Sequence, residues 1–481
     1  MGWKNWFIVA VILMLGFLLR FHDLGEESIW LDEASSLKFA TTAQKDVGHP
    51  PVYYALLGAW VGSFGTSEFS LRFPSLIFGV LSILVLYVVV NQLFNRKTAL
   101  ISSFLMSISV FQIVYSQDAR SYTLLSLLTL LSALFFIRIV KNGKVLDYLL
   151  YAVILIVANY THFLAILLIP AYNFIFYFIL ETDKNQDRKW LLSNLIIIAA
   201  ILPLFFSFLR NLPRLYSDFR NLAYLAGMSH GLFHLISVLA GIVLAVVLIF
   251  LLSTLYKKKS AVRNSLHKFQ VSLHKSIARK QGHYLLILFL LFIAWLIAYL
   301  NVLDFFMSPY GQFVVRYSFF LAPLWYVLLA LAVSKIKSRN VALFSILLFA
   351  LVGIFSLHLY YTSTTKEEWN DAAFFLEEHG RENEVILVDA SYMIGPLNYY
   401  YNGNLLRIPL KSSTDTAVTE ASFATALNEV PSAEGFWLVL SHNWRSGEYY
   451  KQQMDQRFML VREKHYKDID VYYYRNYRKS L

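Results

Sequence analysis

The 481-residue chain contains no cysteine. This absence excludes disulfide bonds, thiolate metal sites and cysteine nucleophiles, so any metal ion would need carboxylate or histidine ligands. It says little about the compartment, because an external domain can manage without disulfides. The sequence also shows no internal repeat and no low-complexity tract.

Charged residues are scarce as well. They make up 15% of the chain, against 57% hydrophobic residues, and the mean hydropathy is +0.52. This composition indicates a polytopic membrane protein. The net charge of +11 does not indicate a nucleic-acid partner, because the basic residues form short clusters between apolar runs, where they orient a membrane protein.

Apolar segments of about 20 residues predict about eleven transmembrane helices, of which the fifth and sixth are the weakest. They are placed near residues 5–21, 73–94, 98–116, 121–140, 147–161, 163–181, 190–208, 232–255, 283–302, 316–334 and 340–360. The first segment lacks a small-residue cleavage pattern, so we expect a retained helix instead of a signal peptide. Lysine and arginine are enriched in alternate loops, which predicts a multi-pass protein of the cell membrane with a cytoplasmic N-terminus. In this topology Arg20 belongs to an external loop.

Hydropathy falls after residue 361, which divides the chain into a transmembrane domain (1–361) and a C-terminal domain (362–481, the tail). Strand patterns occur at Glu384 to Asp389, Leu405 to Leu410, Gly435 to Ser441 and Asp468 to Tyr474, and helical patterns at Thr365 to His379, Tyr392 to Tyr401, Ser422 to Asn428 and Glu448 to Arg457. This alternation predicts a small α/β domain. After an odd number of spans the tail is extracytoplasmic.

An acidic loop (residues 22–72) follows the first apolar helix, with Asp32 and Glu33 inside Trp30-Leu-Asp-Glu-Ala34. Carboxylates beside hydrocarbon usually have a functional use. The structural alternative is that both residues occupy the first turn of a short helix through Phe39, where the helix dipole favours acidic groups. The segment 49–72 is too short and too rich in proline and glycine to be assigned as a transmembrane helix. Its pattern predicts helices that lie at the membrane interface, with Tyr53, Tyr54 and Trp60 at headgroup depth.

The predicted topology places Asp32, His49, Asp118, Arg120, His162 and Arg316 on one side of the membrane. The motifs that carry them are Trp30-Leu-Asp-Glu-Ala34, Gly48-His-Pro-Pro-Val-Tyr-Tyr54, Leu71-Arg-Phe-Pro-Ser75, Ser116-Gln-Asp-Ala-Arg-Ser-Tyr122, Asn159-Tyr-Thr-His162 and Arg316-Tyr317. Their order resembles the bacterial glycosyltransferase C (GT-C) superfamily, in particular its branch similar to protein O-mannosyltransferases and aminoarabinose transferases. The tail's Lys366-Glu-Glu-Trp369 is similar to that branch too.

The resemblance implies an inverting sugar transferase with a polyprenyl-phosphate sugar donor and a lipid, glycan or protein acceptor. Asp32 would be the general base that takes the acceptor's proton, and Glu33 would support it by positioning or metal contact. Positive charge would stabilise the departing phosphate. The candidate substrate-binding residues are His49, Tyr53, Asp118, Arg120, His162 and Arg316.

Several alternatives stay open. Glu68 and Arg72 are four residues apart, which favours a structural helical pair. Asp118 and Arg120 are two apart, which favours a loop site. A divalent metal could bind Glu33, His49 and Asp118, although no ligand spacing requires it.

Other functions compatible with the sequence are a transporter or flippase of envelope lipids, and a noncatalytic membrane protein whose tail binds envelope polymers. Within the enzyme hypothesis, the tail would cap the catalytic cavity and govern acceptor choice.

Overall fold

A computed structural model describes residues 3–42, 50–180, 182–225, 315–410, 435–441 and 446–476 of the chain. The membrane part is helical throughout these residues. Its helices are α1 (Trp3–Phe21), α2 (Leu31–Thr41), α3 (Val52–Phe64), α4 (Glu68–Leu93), α5 (Arg96–Ile108), α6 (Val110–Ser116), α7 (Tyr122–Asn142), α8 (Val145–Asn159), α9 (Leu168–Phe174), α10 (Lys184–Leu225), α11 (Ala322–Lys335) and α12 (Arg339–Tyr361). Short 3-10 helices cover Phe163–Leu167 and Val315–Leu321, and a π-helix covers Ile175–Ile179.

The described helices include four that are long and apolar enough to cross a membrane, or five if the bent pair α5 and α6 is one span. The four lie at Glu68–Leu93, Tyr122–Asn142, Lys184–Ser207 and Arg339–Tyr361. Shorter apolar helices coincide with the predicted spans at 5–21, 147–161, 163–181 and 316–334. The predicted spans at 232–255 and 283–302 lie outside the described residues. The chain is a multi-pass membrane protein, as its composition predicts.

Helix α4 starts five residues earlier than the predicted span, and Pro74 lies inside it. Proline removes the hydrogen bond to the carbonyl four residues before it, which here belongs to Ser70. That carbonyl instead accepts a hydrogen bond from the Trp60 indole at 3.0 Å. The residues Glu68 to Arg72 therefore form the first turn and a half of a long helix, whereas Val52–Phe64 form the separate short helix α3.

The predicted third span is broken at Ser109, where α5 and α6 meet at a 59° bend. Arg20 is fully buried and braces this break. Its guanidinium donates to the carbonyls of Met106 (3.2 Å) and Ser107 (3.0 Å), in the last turn of α5, and to the Ser116 hydroxyl (3.1 Å). The assignment of Arg20 to an external loop is wrong, because the residue belongs to α1 and satisfies carbonyls that the broken helix leaves without amide donors.

The described residues of the tail form three α-helices and five strands. These are α13 (Trp369–His379), β1 (Val385–Asp389), α14 (Ile394–Tyr400), β2 (Leu406–Pro409), β3 (Gly435–Ser441), α15 (Ser446–Arg457), β4 (Phe458–Tyr466) and β5 (Ile469–Asn476). The strand order is β2-β1-β3-β5-β4. Strands β2, β1 and β3 are parallel, whereas β5 runs antiparallel to β3 and to β4.

Both faces of the sheet are covered, which explains why β1 is buried at every position. Ile386 and Val388 belong to a core with residues of α13 and α14, while Val385 and Leu387 belong to a second core with residues of α15. This alternation is the period-two signature of a strand between two helical layers. The predicted α/β domain is confirmed, with the four predicted strands in place. The predicted helix at 422–428 lies outside the described residues.

The described chain divides into two compact units. The first comprises Met1–His22, Lys45–Leu56 and Pro74–Ser356, and the second comprises Asp23–Gln44, Leu57–Phe73 and Leu357–Leu481. The second unit thus groups α2 and the start of α4 with the tail. This grouping differs from the division at residue 361 because it follows packing instead of chain order.

Candidate active site

The first turn of α2 carries both acidic residues singled out in the sequence. Asp32 is half-buried and Glu33 is fully buried. The turn is closed by the Ala34 amide, which donates to the Trp30 carbonyl at 3.0 Å, and by the Ser36 hydroxyl, which donates to the Asp32 carbonyl at 2.9 Å. Asp32 and Glu33 therefore occupy the first turn of a short helix, as the structural alternative for these residues predicts. This position does not exclude a chemical role for Asp32, which retains partial exposure.

Glu33 is held between two cations within the second unit. Arg72 Nε and Nη2 donate to the two Glu33 carboxylate oxygens, each at 2.8 Å, and Lys366 Nζ lies 3.0 Å from Oε2. The predicted pairing of Arg72 with Glu68 is wrong, because Glu68 Oε1 accepts a hydrogen bond from the Tyr400 hydroxyl instead. A bidentate pair with a buried carboxylate satisfies the guanidinium better than an exposed contact along the helix surface.

The charge state of Glu33 follows from these contacts. Burial by itself would raise the pKa of the carboxyl, but the charges of Arg72 and Lys366 and their hydrogen bonds outweigh it and lower the pKa to about 2. Glu33 is consequently ionised at neutral pH. An ionised, fully paired carboxylate is unsuited to accept a proton during catalysis, which leaves Asp32 as the general-base candidate in this turn.

Arg72 also fixes the loop that precedes α2. Its Nη1 donates to the carbonyls of Leu24 (3.1 Å) and Glu27 (2.9 Å), and its Nη2 donates to the Ser28 carbonyl (2.9 Å). One buried side chain thereby satisfies three loop carbonyls and one carboxylate. The sequence motif that contains Arg72 thus has a structural explanation: it organises the acidic loop.

The first unit brings three predicted site residues, Tyr53, Asp118 and Arg120, into one region. The Tyr53 hydroxyl lies 3.2 Å from the Ser75 hydroxyl, which in turn donates to the Arg120 carbonyl at 3.3 Å. Asp118 and Arg120 both lie near enough to the Tyr53 hydroxyl to interact with it electrostatically. Asp118 is buried in the turn between α6 and α7, so the predicted loop position of this pair is confirmed, whereas its role as a site stays a prediction.

His162 and Arg120 both lie near the Tyr122 ring. The two ring centroids are 6.1 Å apart, and the Arg120 guanidinium lies 6.0 Å from the Tyr122 ring. His162 Nδ1 accepts a hydrogen bond from the Leu164 amide at 3.2 Å, at the start of a 3-10 helix. This contact places the proton of a neutral ring on Nε2, which is then a hydrogen-bond donor.

Arg316 is half-buried in the 3-10 helix Val315–Leu321, which packs against α7. Phe319 of that helix contacts Tyr115, with centroids 5.1 Å apart, and Tyr115 contacts Tyr122 at 5.2 Å. The aromatic contacts of Phe319, Tyr115 and Tyr122 thus connect the 3-10 helix that carries Arg316 to the Tyr122 ring.

The remaining site predictions are His49 and a metal ion. His49 lies outside the described residues. Within the part of the chain that the structure describes, no three His, Asp or Glu side chains are grouped as metal ligands. Both Glu33 oxygens are engaged by cations, which makes Glu33 a poor ligand.

Comparison with known proteins bears on both units. Residues 48–206 match the family described as dolichyl-phosphate-mannose-protein mannosyltransferase. Over 158 residues the chain is 25% identical to YkcB of Bacillus subtilis (strain 168), a mannosyltransferase by its description; the match covers 32% of this chain and only 22% of YkcB.

Two solved structures have the same overall architecture. ArnT from Cupriavidus metallidurans bound to undecaprenyl phosphate superimposes with a TM-score of 0.51 and 15% identity, covering 98% of each chain. The oligosaccharyltransferase AglB from Archaeoglobus fulgidus, in complex with an inhibitory peptide and a dolichol-phosphate, gives a TM-score of 0.51 and 13% identity, covering 100% of this chain and 75% of AglB.

The chain has a GT-C-like fold. The resemblance predicted from its motifs is confirmed, and the match to the mannosyltransferase family includes the motifs from Gly48 through His162. The likeness to ArnT extends across the tail as well, which places the α/β domain inside the common architecture.

Sequence reasoning missed three residues of this GT-C-like chain. Arg20 looked like the end of an apolar run, Ser75 carried no charge, and Lys366 lay in a polar stretch after the last helix. An arginine within a transmembrane run is a signal that could have identified Arg20. Ser75 and Lys366 belong to motifs quoted above, but their contacts could not be predicted from local sequence, because their partners are distant in the sequence.

Proposed function

We propose that the protein is an inverting glycosyltransferase that moves a sugar from a polyprenyl-phosphate donor to an acceptor hydroxyl. The single observation that carries the proposal is the different state of two adjacent carboxylates in a GT-C-like architecture. Glu33 is buried and neutralised by Arg72 and Lys366, whereas Asp32 is partly exposed on the same helical turn. This difference gives one structural carboxylate and one candidate base.

The proposed reaction is a single displacement. Asp32 accepts the proton of the acceptor hydroxyl while that oxygen attacks the anomeric carbon, and the bond from the anomeric carbon to the phosphate oxygen breaks. The electron pair leaves with the polyprenyl phosphate, so no second carboxylate is needed to protonate the leaving group. One displacement inverts the anomeric centre.

We assign recognition of the donor phosphate to the cluster in the first unit. Arg120 and Arg316 supply permanent positive charge, and His162 supplies an N–H donor when neutral. Tyr53 and Ser75 hold the backbone of the Arg120 turn. Asp118 and His49 stay candidates for the same site. Support comes from ArnT, whose structure contains undecaprenyl phosphate, and from AglB, whose structure contains a dolichol-phosphate.

We further propose that the N-terminus is cytoplasmic and that α2 and the tail are extracytoplasmic. Since the chain has no cysteine, single cysteines report sidedness without background. Ser63→Cys and Glu378→Cys should react with a membrane-impermeant maleimide in intact cells, whereas Lys97→Cys should react only after lysis. Reaction of Glu378→Cys only after lysis would overturn this orientation.

Turnover by the purified protein tests the function directly. It should release undecaprenyl phosphate from at least one donor in a panel of undecaprenyl-phosphate sugars that begins with mannose, with membrane extract as acceptor source. The product should have the anomeric configuration opposite to that of the donor. Retention of configuration would refute the single displacement, and absence of turnover across the panel would refute the donor class. Mass analysis of envelope glycans with and without the gene would then identify the acceptor.

The transporter and envelope-binding alternatives predict no covalent product. Neither is favoured by a specific observation, and the predicted site residues Asp118, Arg120 and His162 lie in turns and at helix ends. A transporter site would instead be expected at the middle of the bilayer.

A further inference from the structure

The start of the tail contacts the acidic loop through consecutive residues, and this contact has a chemical role if Asp32 is the base. We propose that Lys366 is a positioning residue for Asp32: it holds the first turn of α2 by neutralising Glu33 together with Arg72. The inference rests on the proposed function for its catalytic consequence. Its structural part, the restraint of α2 by Lys366, can be tested separately.

Burial makes the Lys366 contact strong. Its ammonium lies 3.0 Å from Glu33 Oε2, and the Lys366 side chain is only 12% exposed, against 0% for that of Glu33. Arg72 Nη2 donates to the same oxygen at 2.8 Å. A buried carboxylate with two cationic partners has a single favoured position, because losing either partner leaves charge poorly compensated in a desolvated site.

Neighbouring residues restrain the loop just before α2. The Thr365 hydroxyl donates to Glu27 Oε2 at 2.7 Å, and the Thr365 amide also donates to the Glu27 carboxylate. The Asn370 amide donates to the Ser28 hydroxyl at 3.1 Å, and that hydroxyl donates to Asn370 Oδ1 at 2.5 Å. The segment Thr365–Asn370 therefore follows the loop with successive polar contacts, and Lys366 is the one that reaches α2.

A second part of the tail holds the other flank of Asp32. The Tyr400 hydroxyl of α14 accepts a hydrogen bond from the Ile29 amide at 2.7 Å and donates to Glu68 Oε1 at 2.8 Å. Leu31 packs against the core between the sheet and α13 and α14. Asp32 thus lies between two residues, Leu31 and Glu33, that are both fixed by the tail.

This arrangement predicts how loss of Lys366 affects catalysis. A base must be held near the proton that it abstracts, and displacement of about 1 Å can cost about a hundredfold in rate. Since the Lys366 ammonium contacts Glu33 in the turn that carries Asp32, its loss should lower kcat and leave donor binding unchanged. Restoring a cation at this position should restore part of kcat.

The experiment compares Lys366→Met with Lys366→Arg in the purified full-length protein. Lys451→Met is the matched control, because Lys451 also belongs to the tail and forms an exposed ion pair with Asp455 at 2.8 Å. In Lys366→Met, amide hydrogen exchange across residues 24–41 should increase at least about tenfold, which corresponds to about 1.4 kcal/mol of local stability. Exchange in Lys366→Arg should stay near the wild-type rate, and Lys451→Met should not alter this segment.

Turnover is measured with undecaprenyl-phosphate mannose, or with the panel donor that the wild type uses. Lys366→Met should lose about ten- to a hundredfold in kcat, with KM for the donor within about twofold, and Lys366→Arg should regain most of the loss. The double variant Glu33→Gln, Lys366→Met should be no worse than Glu33→Gln alone, because the two residues act through one contact.

The outcomes separate this inference from the proposed function. Unchanged exchange in residues 24–41 of Lys366→Met would overturn the positioning role, whatever the activity. A rise in the donor KM with constant kcat would overturn it too, since Lys366 would then act on substrate binding. An active Asp32→Asn variant would refute the proposed base while leaving the exchange result valid.

Discussion

Glu33 and Arg72 form two parallel hydrogen bonds of 2.8 Å across 39 residues of sequence. This pair joins the first turn of α2 to the first turns of α4. Because both side chains are buried, the pair determines where the acidic loop lies and which of its carboxylates stays accessible. Glu33 is thus held in a buried structural pair, whereas the adjacent Asp32 keeps partial exposure.

The first prediction concerns stability and pH. The pKa of Glu33 falls from 4.5 in its ordinary state to about 2 in the folded protein. A depressed carboxyl pKa contributes stability that is fully present above about pH 4.5 and is lost as the pH falls toward 2. With about 1.4 kcal/mol for each pKa unit, the contribution is on the order of 3 kcal/mol.

Thermal unfolding between pH 7 and pH 3 measures this contribution. The wild type should lose stability faster on acidification than Glu33→Gln, which has no carboxyl to protonate at this position. Parallel loss in both proteins over this range would show that Glu33 does not titrate as described.

The second prediction compares Arg72 with Glu68. Arg72→Leu should destabilise the protein by about 3 to 5 kcal/mol. The substitution leaves Lys366 as the cationic partner of the buried Glu33, and it removes the hydrogen bonds that Arg72 donates to three loop carbonyls. Arg72→Lys should recover only part, since an ammonium cannot reproduce the bidentate geometry. Glu68→Gln keeps an oxygen for the Tyr400 hydroxyl and should cost less than about 1 kcal/mol.

Denaturant unfolding of the three variants distinguishes the two possible partners of Arg72. Equal losses for Arg72→Leu and Glu68→Gln would support the pairing along the helix surface that the sequence alone favours. A small loss for Arg72→Leu would contradict the role of Arg72 in organising the loop.

The third prediction tests the brace at the broken helix. A Cβ at Gly79 would collide with the Ser116 hydroxyl and lie 3.3 Å from Arg20 Nε, whereas a Cβ at Gly62 would meet nothing within 4 Å. Gly79→Ala should therefore destabilise the protein by about 1 to 3 kcal/mol through overpacking. Gly62→Ala, also in a helix, should be neutral or slightly stabilising. Similar effects of the two substitutions on the thermal midpoint would contradict the close packing around Arg20.

Local patterns were sufficient to predict much of this structure. The acidic first turn of α2, the loop position of Asp118 and Arg120, and strands β1, β2, β3 and β5 all follow from hydrophobic period, turn residues and charge near helix starts. Strand β4 was missed because it is an edge strand with exposed charges at Arg462, Glu463 and Lys464, which hides its apolar alternation.

The partners of the site residues could not be predicted in the same way. An Arg72 four residues from Glu68 looks like a helical pair, yet burial favours the distant Glu33. Lys366 lies more than 300 residues from Glu33, and no local pattern encodes that contact.

The contact between Lys366 and Glu33 also changes the expected effect of removing the tail. Besides the predicted effect on acceptor choice, deleting residues 362–481 would remove Thr365 from Glu27, Asn370 from Ser28 and Lys366 from Glu33, so single substitutions test the tail more cleanly.

Transfer by Asp32→Asn tests the central claim most directly, because the substitution removes a base at nearly constant shape. Undecaprenyl-phosphate binding and the thermal midpoint should match the wild type, since Glu33 and its partners remain intact. The rate of sugar transfer should fall at least about a hundredfold, the lower range for loss of a general base. Transfer at the wild-type rate by a folded, donor-binding Asp32→Asn protein would contradict the assignment of Asp32 as the base.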